Sequence, residues 1–261
     1  MDGNKPKILF YDVETKPLMA YIWRLGEQVV RFDQLVEGHD MYDIICIGYC
    51  WNDGQPAKAL DWGFDKQNSK PMLEKFDELI READVIIGKN SDRFDNKHIN
   101  THRFLNDQEG MPEWVRKAED LEKFLRKNFT FPSHGLDYIS KLLKLGGKNK
   151  MGLGDWVDIV EKRDPEALVK MVTYCKKDVE DTRAIWDKAS RHFIPRFNHS
   201  LYSHDFCCTH CGSKNIKQNG TAISGKTIYQ NFFCKDHGGY AGRRPIKVSK
   251  EAVVTKDRLG R

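Results

Sequence analysis

The stretch Lys7-Ile-Leu-Phe-Tyr-Asp-Val-Glu-Thr15 constrains this chain more than any other. An apolar, strand-forming run ends in two acids, Asp12 and Glu14, two positions apart. Alternate side chains of an extended strand leave the same face, so both carboxylates project together. Like charges held that close repel each other unless a cation or a proton lies between them. Hard cations such as Mg²⁺ or Mn²⁺ take carboxylate oxygens, which makes the pair read as half of a metal site. Asp-x-Glu alone arises by chance in many proteins, so later acids have to complete it.

A chain of 261 residues has room for one full α/β domain and a small appendage. After the first strand, residues 16–43 mix aromatics with scattered charges and are expected to be irregular. Ile44–Trp51 and Ala57–Trp62 read as strands joined by the turn signal Asn52-Asp53-Gly54, an antiparallel meander with the first strand. From Pro71, the spacing of Met72, Leu73, Phe76, Leu79 and Ile80 predicts a helix ending near Asp84. The apolar Val85-Ile-Ile-Gly-Lys-Asn90 predicts a strand behind it, the helix forming a crossover onto the sheet. Helices are expected at about 95–106, 113–128, 135–145, 153–162 and 165–192, parted by Pro112, Pro132 and Gly146-Gly147. The expected fold class is α/β, a mixed sheet flanked by helices.

Near 196–204 the chain changes character, which divides it into 1–195 and 196–261. Residues 196–261 carry 12 Lys and Arg against 4 Asp and Glu, whereas residues 1–195 carry 31 against 34. A mildly acidic body with a strongly basic tail points to a polyanion as the tail's partner. The opening residues hold no apolar signal segment, and the longest apolar run, 44–50, is too short to cross a bilayer. The expectation is a cytoplasmic chain with no membrane partner. Seven cysteines, an odd number, argue against a disulfide framework; Cys46, Cys50 and Cys175 sit in apolar patterns and read as buried thiols.

Two further acids complete the strand pair. Asp95 follows the strand at 85–90, in Asn90-Ser-Asp-Arg-Phe94-Asp95, and Asp178 lies on the long helix in Tyr174-Cys-Lys-Lys-Asp178. Tyr174 and Asp178 are four apart and emerge on one helix face. Each acid has a neighbour that competes for its role: Asp92 for Asp95 and Asp181 for Asp178.

The three segments together resemble the DEDD exonucleases of the ribonuclease-H-like superfamily, in the branch whose third motif carries tyrosine. The resemblance covers about residues 5–192. It implies that Asp12, Glu14, Asp95 and Asp178 hold two Mg²⁺ or Mn²⁺ ions and that Tyr174 orients the attacking water. An unperturbed phenol is a poor base at neutral pH, so orientation is the safer role. The resemblance also places Thr15 and Asn90 near a 3′-terminal nucleotide and Phe94 against a base, and it implies 3′-to-5′ removal.

The basic tail carries a second metal signature. Cys208-Thr-His-Cys211-Gly and Cys234-Lys-Asp-His237-Gly are two knuckles with two-residue spacing, each offering a ligand pair to a tetrahedral zinc. Asn219-Gly220 and Ser224-Gly225-Lys226 read as turns, and Thr227–Phe233 as a strand. The segment resembles the zinc ribbons of transposase-type and transcription-type DNA-binding proteins, with His237 in place of the last cysteine. Cys207 and His210 are the alternative ligands. Tyr229, Phe232, Phe233 and Tyr240 interleave the basic residues and serve either to stack bases or as the ribbon's own core.

The combined expectation is a metal-dependent 3′–5′ exonuclease acting on nucleic acid, DNA favoured, at a single-stranded 3′ end, with a zinc ribbon that holds the strand. Its rivals are an RNA 3′-end trimming enzyme, a non-catalytic adaptor that binds through the ribbon, and a ribbon that docks a replication or repair protein.

Overall fold

The computed structural model describes residues 6–108, 119–146, 151–192, 198–203 and 205–246. Residues 7–192 form one compact unit, and residues 198–246 belong to a second.

The first unit is a five-stranded mixed sheet with flanking helices. The central strand β1 (Ile8–Thr15) pairs antiparallel with β2 (Ile44–Trp51), which pairs antiparallel with β3 (Lys58–Asp61). Helix α1 (Lys70–Glu82) then returns the chain so that β4 (Val85–Gly88) lies parallel to β1 on its other side. The sheet order is β3-β2-β1-β4-β5, with β5 (Glu119–Asp120) parallel to β4. Helices α2 (Asp95–Leu105), α3 (Leu121–Asn128), α4 (Leu136–Leu142), α5 (Leu153–Glu161) and α6 (Pro165–Ala189) complete it.

Both faces of β1 are covered, which explains why it reads as a nearly continuous apolar run rather than an alternating one. Leu9, Tyr11 and Val13 pack with Phe76, Ile80 and Ile99 of α1 and α2. The opposite face looks toward α6. Glu14 is paired with Cys46 of β2, and Cys46 packs with Met171 and Cys175 of α6. Cys46, Cys50 and Cys175 are buried free thiols, as their apolar settings predict. Residues 16–43 hold only a short 3-10 turn, Phe32–Gln34, and an isolated bridge between Ala20 and Leu35, and they leave Trp23, Leu25 and Phe32 exposed. Lys16 anchors their base: its buried ammonium lies 2.6 Å from Asp43 and donates to the Gly38 carbonyl at 2.9 Å.

One predicted helix is corrected. Residues 113–118 lie outside the described residues, and the rest of the 113–128 segment is not helical throughout. Glu119 and Asp120 pair with Ile87 and Gly88 as β5, and α3 starts only at Leu121. The reason is chemical. Asp120 has extended backbone, and its carboxylate accepts the Glu122 N–H at 2.8 Å, so it caps the helix instead of joining it.

The second unit holds a three-stranded antiparallel sheet, β6 (Ile216–Ser224), β7 (Thr227–Cys234) and β8 (Gly239–Pro245), in that order. Gly225 and Lys226 form the two-residue turn between β6 and β7, with Ser224 paired to Thr227 and Gly225 at φ +57°. Asn219-Gly220 is not a turn. It falls within β6 where the pairing register slips between Gln218 and Thr221, so the Gly220 conformation serves a bulge. Among the described residues, no helix is long and apolar enough to cross a membrane.

Candidate functional site

Asp12 and Glu14 emerge from β1 on the face turned to α6, with buried Val13 between them pointing the other way. Opposite Asp12 on β2 stands Gly48, and that absence of a side chain lets α6 approach. A Cβ there would lie 2.9 Å from Cys175 Sγ, 2.9 Å from Val179 Cγ2 and 3.0 Å from the Cys175 carbonyl oxygen. The helix therefore rests on the strand backbone, and its buried stripe of Met171, Cys175, Asp178, Val179 and Thr182 faces the sheet.

Asp95 arrives from the other side of β1. Strand β4 ends at Gly88 opposite Tyr11, so it supplies no carbonyl for the Val13 N–H. The Asp95 carboxylate accepts that N–H at 2.8 Å and is itself buried at the start of α2. Burial pushes Asp95 up to about 7, against the lowering effect of its own and the Val13 backbone N–H, with Asp120 raising it further. The Asp12 carboxyl is held well above the usual range, first by burial and then by the charges of Asp95, Glu14 and Asp178. The structure thus brings Glu14, Asp95 and Asp178 within electrostatic reach of Asp12, from acids spread over 167 positions of sequence.

The competing acids have other partners. Asp92 pairs with Lys123 at 2.6 Å, and Asp181 pairs with Lys177, which also donates to the Leu145 carbonyl at 2.9 Å. Tyr174 is half-buried on α6, one turn before Asp178. Asn90 takes a left-handed conformation at φ +61° in the turn after β4. Phe94 ends that turn with 39% of its surface exposed and its ring edge-on to His98, centroids 4.4 Å apart. Thr15 closes β1, and its carbonyl accepts the Trp156 indole N–H at 3.0 Å.

Three contributors were missed in the sequence. Asp120 holds the turn that carries Asn90 by accepting the N–H groups of Asn90 at 3.1 Å and Asp92 at 3.2 Å. Gly48 has no local signal, since its role depends on a helix some 130 residues later. Cys175 looked like a plain core thiol, yet its sulfur lies 3.8 Å from Asp12 Oδ2, and Asp12, Glu14 and Cys175 offer donor atoms within 4.8 Å of one another.

The second unit gathers Cys208, Cys211, Cys234 and His237 into one cluster. His237 Nδ1 lies 3.4 Å from Cys208 Sγ and 3.5 Å from Cys211 Sγ, and the Cys211 and Cys234 sulfurs are 3.7 Å apart. A tetrahedron with Zn–S of about 2.3 Å and Zn–N of about 2.0 Å has edges of about 3.5 to 3.8 Å, so the cluster is consistent with a structural zinc. The knuckles are alike: Gly212 N–H donates to the Cys208 carbonyl at 2.9 Å and Gly238 N–H to that of Cys234 at 3.1 Å, both glycines near φ +70°. Cys207 is buried outside the cluster, and the His210 ring stacks on His237 with centroids 5.2 Å apart.

The aromatics divide by strand alternation. Phe232 packs inward on the cluster and against Phe206, centroids 4.7 Å apart. Tyr229 and Phe233 lie on the other face, where Arg243 sits 4.2 Å above the Tyr229 ring and Lys217 is 5.2 Å from that of Phe233.

Fold and site together define a mixed-sheet α/β protein with acids gathered beside its central strand. The comparisons with known proteins agree. Residues 9–190 match the RNase_H_2 model of the RNase H superfamily, and the chain belongs to that superfamily. Its fold is similar to that of the family B DNA polymerase from the hyperthermophilic archaeon Pyrobaculum calidifontis, with a TM-score of 0.52 and 14% identity. That match covers 71% of this chain and 25% of the polymerase, so the chain spans about a quarter of the polymerase's length. Among curated proteins, none matches the sequence.

Proposed function

We propose that the chain is a metal-dependent 3′–5′ exonuclease that removes nucleotides from a DNA strand and holds that strand with a zinc ribbon. The observation that carries this reading is the approach of Glu14, Asp95 and Asp178 to Asp12, whose carboxyl their charges help to hold well above its usual range, a repulsion that bound cations relieve. A donor set made of carboxylates suits Mg²⁺ or Mn²⁺. Asp12, Glu14 and Asp178 would hold one ion, and Asp12 with Asp95 the other. Bound there, a pair of divalent ions supplies charge stabilisation for the attacking and leaving oxygens and favours hydroxide near neutral pH.

The remaining roles fall to the chain's own side chains. Tyr174, one turn from Asp178, orients the attacking water by its hydroxyl. Thr15 and Asn90 flank the terminal nucleotide, and the exposed part of Phe94 stacks on its base. The hold of Asp95 on the Val13 N–H ties its position to β1, so the acids from the strand and from α2 stay in register. In the second unit, Cys208, Cys211, Cys234 and His237 hold zinc, and the cation–aromatic face of Tyr229, Phe233, Lys217 and Arg243 offers phosphate contacts beside stacking surfaces. The polymerase whose fold is similar acts on DNA by its name, which favours DNA over RNA.

The test uses the purified full chain with single strands labelled at the 3′ or the 5′ end, as DNA and as RNA. With Mg²⁺, 3′ label should be released as mononucleotide from DNA at once, while 5′-labelled product shortens stepwise. Withholding divalent ions, or Asp12→Asn or Asp178→Asn, should stop it. Intact strands under every condition would leave the adaptor reading, and faster loss of RNA would replace the substrate.

A further inference from the structure

Cys175 stands where a hard-metal site has no use for it. Its sulfur is 3.8 Å from Asp12 Oδ2 and shares with Asp12 and Glu14 the spacing of a ligand set. A tetrahedral dication with one thiolate and carboxylate oxygens has S–O edges of about 3.5 Å, so the sulfur needs only a few tenths of an ångström of movement. Two features hold the sulfur in this place. The Gly48 N–H donates to it at 3.1 Å and fixes it against β2. The missing Cβ of Gly48 also leaves the space the sulfur occupies, since a methyl there would sit 2.9 Å from it.

We propose that Asp12, Glu14 and Cys175 form a second, thiophilic metal site that takes Zn²⁺ or Cd²⁺ and, by occupying Asp12 and Glu14, excludes the hard ions from the acid pocket. On binding, the S–H bond of Cys175 breaks, the sulfur–metal bond forms and the proton passes to solvent. Soft ligands select such ions over Mg²⁺, which keeps its oxygen shell. The consequence is inhibition of the chain by zinc at concentrations far below those of magnesium. That consequence rests on the nuclease reading; the metal site does not.

The test is a Cd²⁺ titration of the full chain with its ribbon first saturated with zinc, followed by the ultraviolet thiolate-to-cadmium charge-transfer band. The native chain should gain a band that Cys175→Ser lacks. Equal bands in the two proteins would assign the signal to ribbon thiolates and overturn the site. Should Cys175→Ser fail to fold, Glu14→Gln decides, because it keeps the thiol and removes a carboxylate. Cadmium binding weakened roughly tenfold or more upholds the site, and unchanged binding overturns it. In parallel, the zinc concentration that halves each protein's own Mg²⁺-supported cleavage should rise roughly tenfold or more in Cys175→Ser. Equal zinc sensitivity would overturn the inhibitory role. A Cys175-dependent band in a chain that cleaves nothing would uphold the site while rejecting the nuclease.

Discussion

Gly48→Ala is the most informative single change, because it adds one methyl at the seam between the strand that pairs with Asp12 and the helix that carries Asp178. The new Cβ would meet Cys175 Sγ and Val179 Cγ2 at 2.9 Å and the Cys175 carbonyl oxygen at 3.0 Å, where ordinary contact begins at 3.4 Å. Two of these atoms belong to side chains without room to turn away, as Cys175 and Val179 are both fully buried. The third is helix backbone. Helix α6 must therefore lift by about half an ångström, an overpacking that costs about 1–3 kcal/mol. At ~2–4 °C per kcal/mol, the melting temperature should fall by about 2–12 °C. The same lift separates Asp178 from Asp12. Since a displacement of about 1 Å can cost ~10²-fold in rate, cleavage should drop on the order of tenfold even well below the melt. The assays are a thermal melt and an initial-rate measurement at 20–25 °C below it, with Val179→Ala added in a double variant to restore part of both. A variant that melts and cuts like the native chain would refute the argument that α6 rests on β2 at this point.

Three other outcomes follow from the same geometry. Asp120→Ala should destabilise by about 2–4 kcal/mol, because it removes the α3 cap and leaves the Asn90 and Asp92 N–H groups without their acceptor; a denaturant titration with an unshifted midpoint would contradict it. With no divalent ion added to the acid pocket, stability should fall as pH rises from about 4, the ordinary carboxyl value, to about 7, because the folded Asp95 keeps a proton the unfolded chain releases. The slope reaches up to about 1.4 kcal/mol per pH unit for one group, and Mg²⁺ should flatten it; a Mg²⁺-independent pH profile in calorimetry would count against the metal assignment. Removing zinc by chelation, or His237→Ala, should expose residues 205–246 to protease while 7–192 stays resistant, since a small unit around Cys208, Cys234 and Ala241 has little other core; protection that survives in metal-free protein would show that the ribbon folds without the ion.

Much of this molecule is legible in the residue string because its signals are local. Alternation delivers Asp12 and Glu14 to one face, helical spacing puts Tyr174 a turn before Asp178, and two knuckles with left-handed glycines bring three sulfurs and an imidazole together. Other features depend on partners remote in sequence, which no window contains. Asp120 lies in a stretch that reads as helix and becomes a strand end only because β4 is there to pair with it. Asn219-Gly220 has turn chemistry, yet pairing with β7 draws it into a bulged strand. The four acids could be named from the chain alone; the approach of Asp178 and Asp95 to Asp12 required α6 to cross β2 at a glycine and α2 to start against the Val13 N–H. The same packing also set the Cys175 sulfur beside Asp12, a neighbour that only the close approach of two backbones could supply.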